Sequence, residues 1–161
     1  MADFKTDKRA VKDQLKSEMN HLANEAEEKA REAEEIGSII DGYELAGDLD
    51  KDTIRALRAD YKREYANVHE NYEKKMNDAR TRANTEHAEI NFEKNKVEDT
   101  RKGVEDIMNG HDTGKDGARS AADKLKESEN EYDAMMSEYD DIIIESDNRM
   151  SNARSRNNAA L

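Results

Sequence analysis

One long, uninterrupted helical pattern constrains this chain more than any other feature. Between Leu49 and Gly110 a stripe of mostly apolar side chains recurs every three or four residues, which is the period of one helix face. The stripe consists of Ile54, Leu57, Tyr61, Tyr65, Val68, Tyr72, Met76, Ala79, Ala83, His87, Ile90, Lys94, Val97, Arg101, Val104 and Met108. The chain contains no proline, the residue that most strongly breaks helices. The spacing predicts one helix over 51–109, roughly 85–90 Å long at ~1.5 Å per residue.

Both ends of this predicted helix carry termination signals. Asp50 is placed to act as the N-cap, because its carboxylate can accept the free N–H groups of the first turn. Leu49 and Ile54 have the spacing of a hydrophobic staple across that cap. Gly110 has the position of a left-handed residue that closes a helix.

Two further helices are predicted on either side, over 3–40 and 117–156. The first has its apolar face at Phe4, Val11, Leu15, Met19, Leu22, Ala26, Ala30 and Ala33, ending at Ile36 or Ile40. The third is predicted to start after Asp116, which would be its N-cap. Its apolar face consists of Ala118, Ala121, Leu125, Ser128 and Tyr132 and continues through 135–153. Its end is expected to fray from Ser151 onward. Short connections between three helices predict an all-α protein, an elongated antiparallel helical hairpin or three-helix coiled-coil-like bundle. We expect residues 1–161 to form this single domain, with the long helix at its centre.

The composition limits how this bundle can be held together. Charged residues make up 41% of the chain and hydrophobic residues 34%, so a thick core is excluded. Such a composition is also typical of disordered chains. The sustained helical period favours a folded structure instead, in which each helix contributes a narrow apolar face.

Charge and targeting signals exclude several function classes. The net charge of −12 opposes binding to nucleic acid or to an anionic membrane, so neither is an expected partner. There is no cysteine, and no stretch approaches the ~18 apolar residues of a membrane span. The first twelve residues lack the apolar core of a cleavable signal peptide. We therefore expect a cytoplasmic location.

No set of residues has the pattern of a catalytic, cofactor or metal site. Asp48, Asp50 and Asp52 begin like an EF-hand loop, but Thr53 replaces its glycine and Ala59 its bidentate glutamate. A second imitation, running from Asp112 to Asp123, fails in a similar way. No two histidines are three or four residues apart, and phosphate-loop, nucleotide-binding and nucleophile motifs are missing. We expect no enzymatic activity, no cofactor and no bound metal.

Two apolar clusters are harder to explain by a three-helix bundle and are the predicted partner-binding residues. One lies at the tip of the first helical hairpin and the other on the third helix: Ile39, Ile40, Tyr43, Leu45 and Gly47, then Tyr139, Ile142 and Ile144. The second cluster lies within 127–147, which contains nine acidic residues and no basic one. That acidic stretch has two interpretations, a solvated helix face or a docking surface for a basic partner.

The tripeptide Leu45-Ala46-Gly47 lies in the predicted turn between the first two helices. This layout over residues 1–109 resembles the WXG-type small secreted proteins of type VII secretion and the related LXG targeting domains. The resemblance implies a helical hairpin, a helical protein partner and export without a cleavable signal. The chain has no tryptophan and lacks the family's Tyr-x-x-x-Asp/Glu export signal. The implied role is therefore that of an adaptor for a secreted protein which carries the signal itself.

The expected function is that of a non-enzymatic helical interaction protein, an adaptor or targeting partner of a secreted LXG-toxin-like protein. Its partner would be that toxin or a second small helical protein, and a homodimer is a further arrangement of the same apolar faces. The alternative is a structural coiled-coil spacer or a self-assembling helical protein.

Replacing Ala30 by leucine tests the predicted alanine face of the first helix. Overpacking a closely packed site costs about 1–3 kcal/mol. The Ala30→Leu variant should therefore unfold at a lower temperature than the parent in a thermal melt followed by circular dichroism. An unchanged or raised melting temperature would mean that no helix packs closely against Ala30.

Overall fold

The described residues form three α-helices and no strand. A computed structural model of the chain describes residues 3–110 and 115–161, with only the backbone of residues 115 and 116. The helices are α1, Phe4–Ala46, α2, Lys51–Gly110, and α3, Lys115–Ala160. The predicted all-α fold with a very long central helix is confirmed. Among the described helices, none is long and apolar enough to cross a membrane.

The contacts of the chain fall into two compact units. Unit 1 comprises Met1–Gln14 and Thr81–Asp141, and unit 2 comprises Leu15–Arg80 and Ile142–Leu161. Each unit contains a part of all three helices. In both, α1 and α3 run parallel to each other and α2 runs antiparallel to them.

Cross-helix pairs establish these directions. In unit 1, Lys5 and Lys12 of α1 meet Glu131 and Glu138 of α3 in ascending order. In unit 2, Tyr65 and Tyr72 of α2 meet Glu32 and Glu25 of α1 in descending order. In unit 1, Lys94 and Arg101 of α2 meet Asp133 and Glu129 of α3 in descending order. The predicted opposite direction of the long helix is therefore present in both units.

The predicted apolar faces are the faces that the fold covers. All the stripe residues predicted on α2 are buried or half-buried, and Met76, Ala79, Ala83 and Ile90 are fully buried. On α1 the predicted alanine face is equally inaccessible at Ala26, Ala30 and Ala33. One predicted member of the α3 face, Ala121, is exposed instead.

The spacing of the covered positions differs between the two units. In unit 1 it repeats every seven residues, as on α2 at Ala83, Ile90, Val97 and Val104, with His87, Lys94, Arg101 and Met108 between them. In unit 2 it repeats every eleven residues, as on α1 at Leu15 and Ala26, Met19 and Ala30, and Leu22 and Ala33. A seven-residue repeat favours left-handed supercoiling, and an eleven-residue repeat favours the opposite hand. The units thus use different packing periods.

The turn between α1 and α2 is closed by a cap on each side. The backbone N–H of Thr53 donates to Asp50 Oδ1 at 2.6 Å, which confirms the predicted N-cap. Ile54, the predicted staple residue, is buried and Leu49 is half-buried. The left-handed role predicted for Gly110 is wrong, because among the described glycines only Gly47 has a positive φ.

Two helices extend further than predicted because of tertiary contacts. Helix α1 continues past Ile40, through Gly42, to Ala46. Helix α3 remains helical to Ala160 instead of fraying from Ser151, and Ala153 is fully buried. It also begins before Gly117, so the predicted N-cap Asp116 falls inside its first turn; the Asp116 side chain lies outside the described residues.

Gly37 allows α1 and α3 to approach closely in unit 2. A Cβ atom added at Gly37 would lie 2.1 Å from the backbone oxygen of Ala160. Backbone cannot yield as a flexible side chain can, so this position requires the absence of a side chain. Gly42, one and a half turns later on the same helix, has no atom within 4 Å of such a Cβ.

These two glycines give a matched pair of alanine substitutions. Gly37→Ala should lower the melting temperature, because the new methyl group forces the end of α3 away from α1. Gly42→Ala should raise the free energy of unfolding by about 0.5–1 kcal/mol, the usual gain from removing an exposed helical glycine. Thermal and urea unfolding of both variants would measure the difference. Equal effects at the two positions would contradict the close approach at Gly37.

Candidate interaction surfaces

The predicted hairpin-tip cluster is only partly exposed. Leu45 is 90% exposed and Ile39 59%, while Tyr43 is about half exposed at 48%. Ile40 is 3% exposed and belongs to the buried face of α1. Its expected availability to a partner is wrong, because it continues the covered positions beyond Ala33.

The exposed tip residues do not share one helix face. Ile39 and Tyr43 are four residues apart and therefore lie one above the other on α1. Leu45 follows Tyr43 by two residues, which places it about 200° further around the helix. We call Ile39, Tyr43 and Leu45 together the tip residues. They therefore lie on different sides of the end of α1.

The glycine of the Leu45-Ala46-Gly47 tripeptide ends the helix. Gly47 has a φ of 73°, in the left-handed region that glycine adopts without strain. Its N–H lies 3.1 Å from the carbonyl oxygen of Tyr43 and 3.2 Å from that of Glu44, which satisfies carbonyl groups that the helix leaves open. The structure therefore places Leu45 and Ala46 in the last turn of α1 and Gly47 in the turn that was predicted to hold all three residues.

An ion-pair cluster holds the tip of α1 against α2. The Arg58 guanidinium donates to Asp41 at 2.5 Å and to Glu44 at 2.9 Å. These carboxylates hold the pKa of Arg58 above its ordinary value. The bonds fix the last turns of α1 and leave the tip residues on an ordered support.

The second predicted cluster is divided between the two units. Tyr139, in unit 1, is fully buried, and its hydroxyl donates to the backbone oxygen of Lys8 at 2.6 Å. Burial raises the pKa of Tyr139 above its ordinary value. In unit 2, Ile142 is buried and Ile144 is 57% exposed. The expected accessibility of Tyr139 and Ile142 is therefore wrong, and Ile144 alone can offer a surface.

The acidic stretch 127–147 has a third role that neither interpretation of the sequence contained. At least six of its nine acids pair with basic or histidine side chains of α1 and α2. In unit 1 the pairs are Glu129–Arg101 (2.5 Å), Glu131–Lys5 (2.8 Å), Asp133–Lys94 (2.5 Å), Glu138–Lys12 (2.9 Å) and Asp140–His87 (3.4 Å). In unit 2, Asp147 meets Arg80 at 2.5 Å. The stretch therefore aligns α3 within the bundle.

The signs of these pairs are reversed further along unit 2. There α3 supplies the cation: Arg149 donates to Glu27 at 2.7 Å, Arg154 to Glu73 at 2.5 Å, and Arg156 pairs with Glu34. Arg149 also donates to Asn24 at 2.5 Å. The hydrogen bond from Arg149 holds the pKa of Glu27 below its ordinary value of 4.5.

A polar cleft of about 260 Å³ in unit 2 was missed by reasoning from sequence. It is lined by His69, Glu73, Arg154 and Asn157, among others. His69 is buried, its Nε2 lies 3.4 Å from Glu73 Oε1, and burial lowers its pKa. The four-residue spacing of His69 and Glu73 was the signal available. The Glu73 carboxylate is held by Arg154, and no hydroxyl or thiol lines the cleft, so this arrangement does not form a nucleophile–base pair.

Within the part of the chain that the structure describes, the other acidic candidates from the sequence do not form a metal-binding group. Asp50 is engaged as the helix cap. Among the described residues, no group of three or more histidine, aspartate or glutamate side chains is arranged to hold a metal ion. The second EF-hand imitation lies partly outside the described residues.

Comparison with protein-family models, curated proteins and solved structures found no match to this chain. The resemblance to type VII proteins therefore rests on the tripeptide and the hairpin layout alone.

Acid titration of a Glu27→Gln variant tests the Arg149 pair. Because the pKa of Glu27 is lowered on folding, its charge stabilises the fold above the ordinary pKa of 4.5, and this contribution is lost as the pH falls through the folded pKa. The variant should melt below the parent at pH 7, and the gap should close below about pH 4.5. Thermal melts from pH 7 to pH 3 would measure it. The exposed Glu64→Gln serves as control, and a gap independent of pH would contradict the pairing.

Proposed function

We propose that this protein is a non-enzymatic helical interaction protein that binds a helical protein partner through the tip residues Ile39, Tyr43 and Leu45. The observation that carries the proposal is the 90% exposure of Leu45, together with the exposure of Ile39 and Tyr43 near the same end of α1. Exposed apolar groups cost solubility, and this chain places charged or polar residues at most other exposed positions of the described residues.

The support beneath the tip residues favours a preformed binding site. The last turn of α1 is ended by Gly47, the first turn of α2 is capped by Asp50, and Arg58 joins the two helices. A partner that meets such an ordered end loses little free energy in arranging it. Burying one large aliphatic side chain contributes about 1.5–3 kcal/mol, so covering the exposed parts of the tip residues favours binding.

The finer proposal is an adaptor of a secreted LXG-toxin-like protein. It is supported by the position of Leu45-Ala46-Gly47 at the turn of a helical hairpin. In this proposal the toxin or a second small helical protein is the partner, and the protein functions in the cytoplasm before export.

A structural coiled-coil spacer is the second candidate. It is supported by the ion pairs between helices, because they align α3 through contacts within the chain. A spacer needs no exposed apolar end, so the tip residues distinguish the two functions.

Co-expression with the product of the neighbouring gene, followed by co-purification, tests the proposed function. The parent should retain the partner, and Leu45→Asp should lose it because a carboxylate cannot be buried in an apolar contact. Phe92→Asp is a matched control, since Phe92 is also an exposed apolar residue but belongs to unit 1. Ile144→Asp tests the remaining exposed residue of the second predicted cluster. Circular dichroism would verify that each variant folds.

Retention of every partner by both Leu45→Asp and Ile144→Asp would overturn the binding assignment. The spacer would then be the better account of the protein.

A further inference from the structure

Within unit 1, α1 covers only a part of the hairpin formed by α2 and α3. Lys8 of α1 donates to Glu86 at 2.5 Å, and the Phe4 ring lies 6.0 Å from that of Tyr132 on α3. Because α1 and α2 are antiparallel, the part of α2 beyond about residue 94 lies past the first described turn of α1. In the described residues, 96–110 of α2 and 117–127 of α3 thus form a pair of helices with no third helix against them.

Burial falls where the third helix ends. On α2 the stripe residues Ala83 and Ile90 are fully buried, whereas Val97, Val104 and Met108 are only half-buried. On α3, Tyr132 and Tyr139 are buried, while the earlier heptad positions Ala118 and Leu125 are half-buried and Ala122 is the one buried residue of 117–127. The seven-residue repeat continues unchanged along both helices. These residues therefore have the spacing of a core, but no third helix of the described residues covers them.

The uncovered face is the continuation of the face that meets α1. Glu89 of α2 is a partner of Lys8 on α1. Ile107 follows Glu89 by eighteen residues, about five full turns at 3.6 residues per turn, so the two residues lie on the same side of α2. Ala121 precedes Ser128, a partner of Lys5, by two turns. Ile107 is 61% exposed and Ala121 is exposed. We call Val97, Val104, Ile107, Ala121 and Leu125 the hairpin-end face.

The charge around the hairpin-end face limits what can cover it. The segments 96–110 and 117–127 contain six acidic and six basic side chains and so contribute nothing to the net charge of −12. The acids are Glu98, Asp99, Glu105, Asp106, Asp123 and Glu127, and the bases are Lys96, Arg101, Lys102, Arg119, Lys124 and Lys126. Two copies of so acidic a chain repel each other elsewhere, but not where these segments meet.

We propose that the hairpin-end face binds the same face of a second copy of this chain, so that two helix pairs complete a four-helix bundle. A neutral surface with both charge signs interspersed can meet its own copy in a twofold symmetric contact without net repulsion. The partly covered heptad positions supply the apolar layer, and a four-helix bundle with this repeat is a stable way to bury them. This surface is distinct from the tip residues, and the dimer would be independent of the proposed adaptor function.

Sedimentation velocity of the full chain, from low to high micromolar concentration, tests the proposal. The parent should show a concentration-dependent exchange between monomer and dimer. Ile107→Asp should raise the dissociation constant of the dimer about 100-fold or more, because the change places a carboxylate in the contact twice. Ile107 is exposed, so the monomer should keep its fold and its circular dichroism spectrum.

Ile144→Asp provides the matched control, since it makes the same substitution at a similarly exposed isoleucine in unit 2. It should dimerise like the parent. A second variant, Ala121→Glu, changes the face from the α3 side and should also prevent the dimer. A parent that stays monomeric at high concentration, or a dimer that survives both Ile107→Asp and Ala121→Glu, would overturn the proposal. A dimer lost equally with Ile144→Asp would do the same.

Discussion

The alignment of α1 with α3 depends on charge pairs whose sign changes along the chain. In unit 1, α1 contributes lysines and α3 contributes acids, as in Lys5–Glu131 and Lys12–Glu138. In unit 2 the roles are exchanged, as in Glu27–Arg149 and Glu34–Arg156. A helix that ran in the opposite direction, or that was shifted by half its length, would bring like charges together.

The charge pairs specify alignment more than they stabilise the fold. Most of their members are partly exposed, and an exposed ion pair contributes only about 0–1 kcal/mol. The apolar faces supply the driving force, but they repeat every seven or eleven residues, so a slip by one repeat would keep most apolar contacts. Electrostatic penalties against such slips are a known means of fixing helix register. Lys8 of α1 forms a similar pair with two glutamates of α2. Burial lowers the pKa of Lys8, but Glu86 and Glu89 outweigh this and hold the pKa above its ordinary value.

Small buried side chains on α1 allow the helices of unit 2 to pack closely. In unit 2, Ala26, Ala30 and Ala33 on α1 are matched by the tyrosines of α2, whose hydroxyls reach the flanking glutamates. At Gly37 even a methyl group would be too large. In unit 1 the larger Met135, Met136 and Tyr139 fill the centre, and Tyr139 satisfies its hydroxyl on the α1 backbone.

The sequence alone determined which segments are helical and which side of each is covered. Hydrogen bonding in a helix is local, and the period of 3.6 residues fixes the covered side, so α2, its cap Asp50 and its sixteen stripe residues could all be predicted. The exposure of Leu45 could also be anticipated, because it follows the last covered position of α1. Only the tertiary structure decided how far each helix extends and what each flanking residue meets. Ile40 and Ile142 are buried, Ala121 is exposed, and the acids of 127–147 pair internally because of the length and direction of the neighbouring helices. Those properties depend on contacts between residues distant in the chain, which no local spacing encodes.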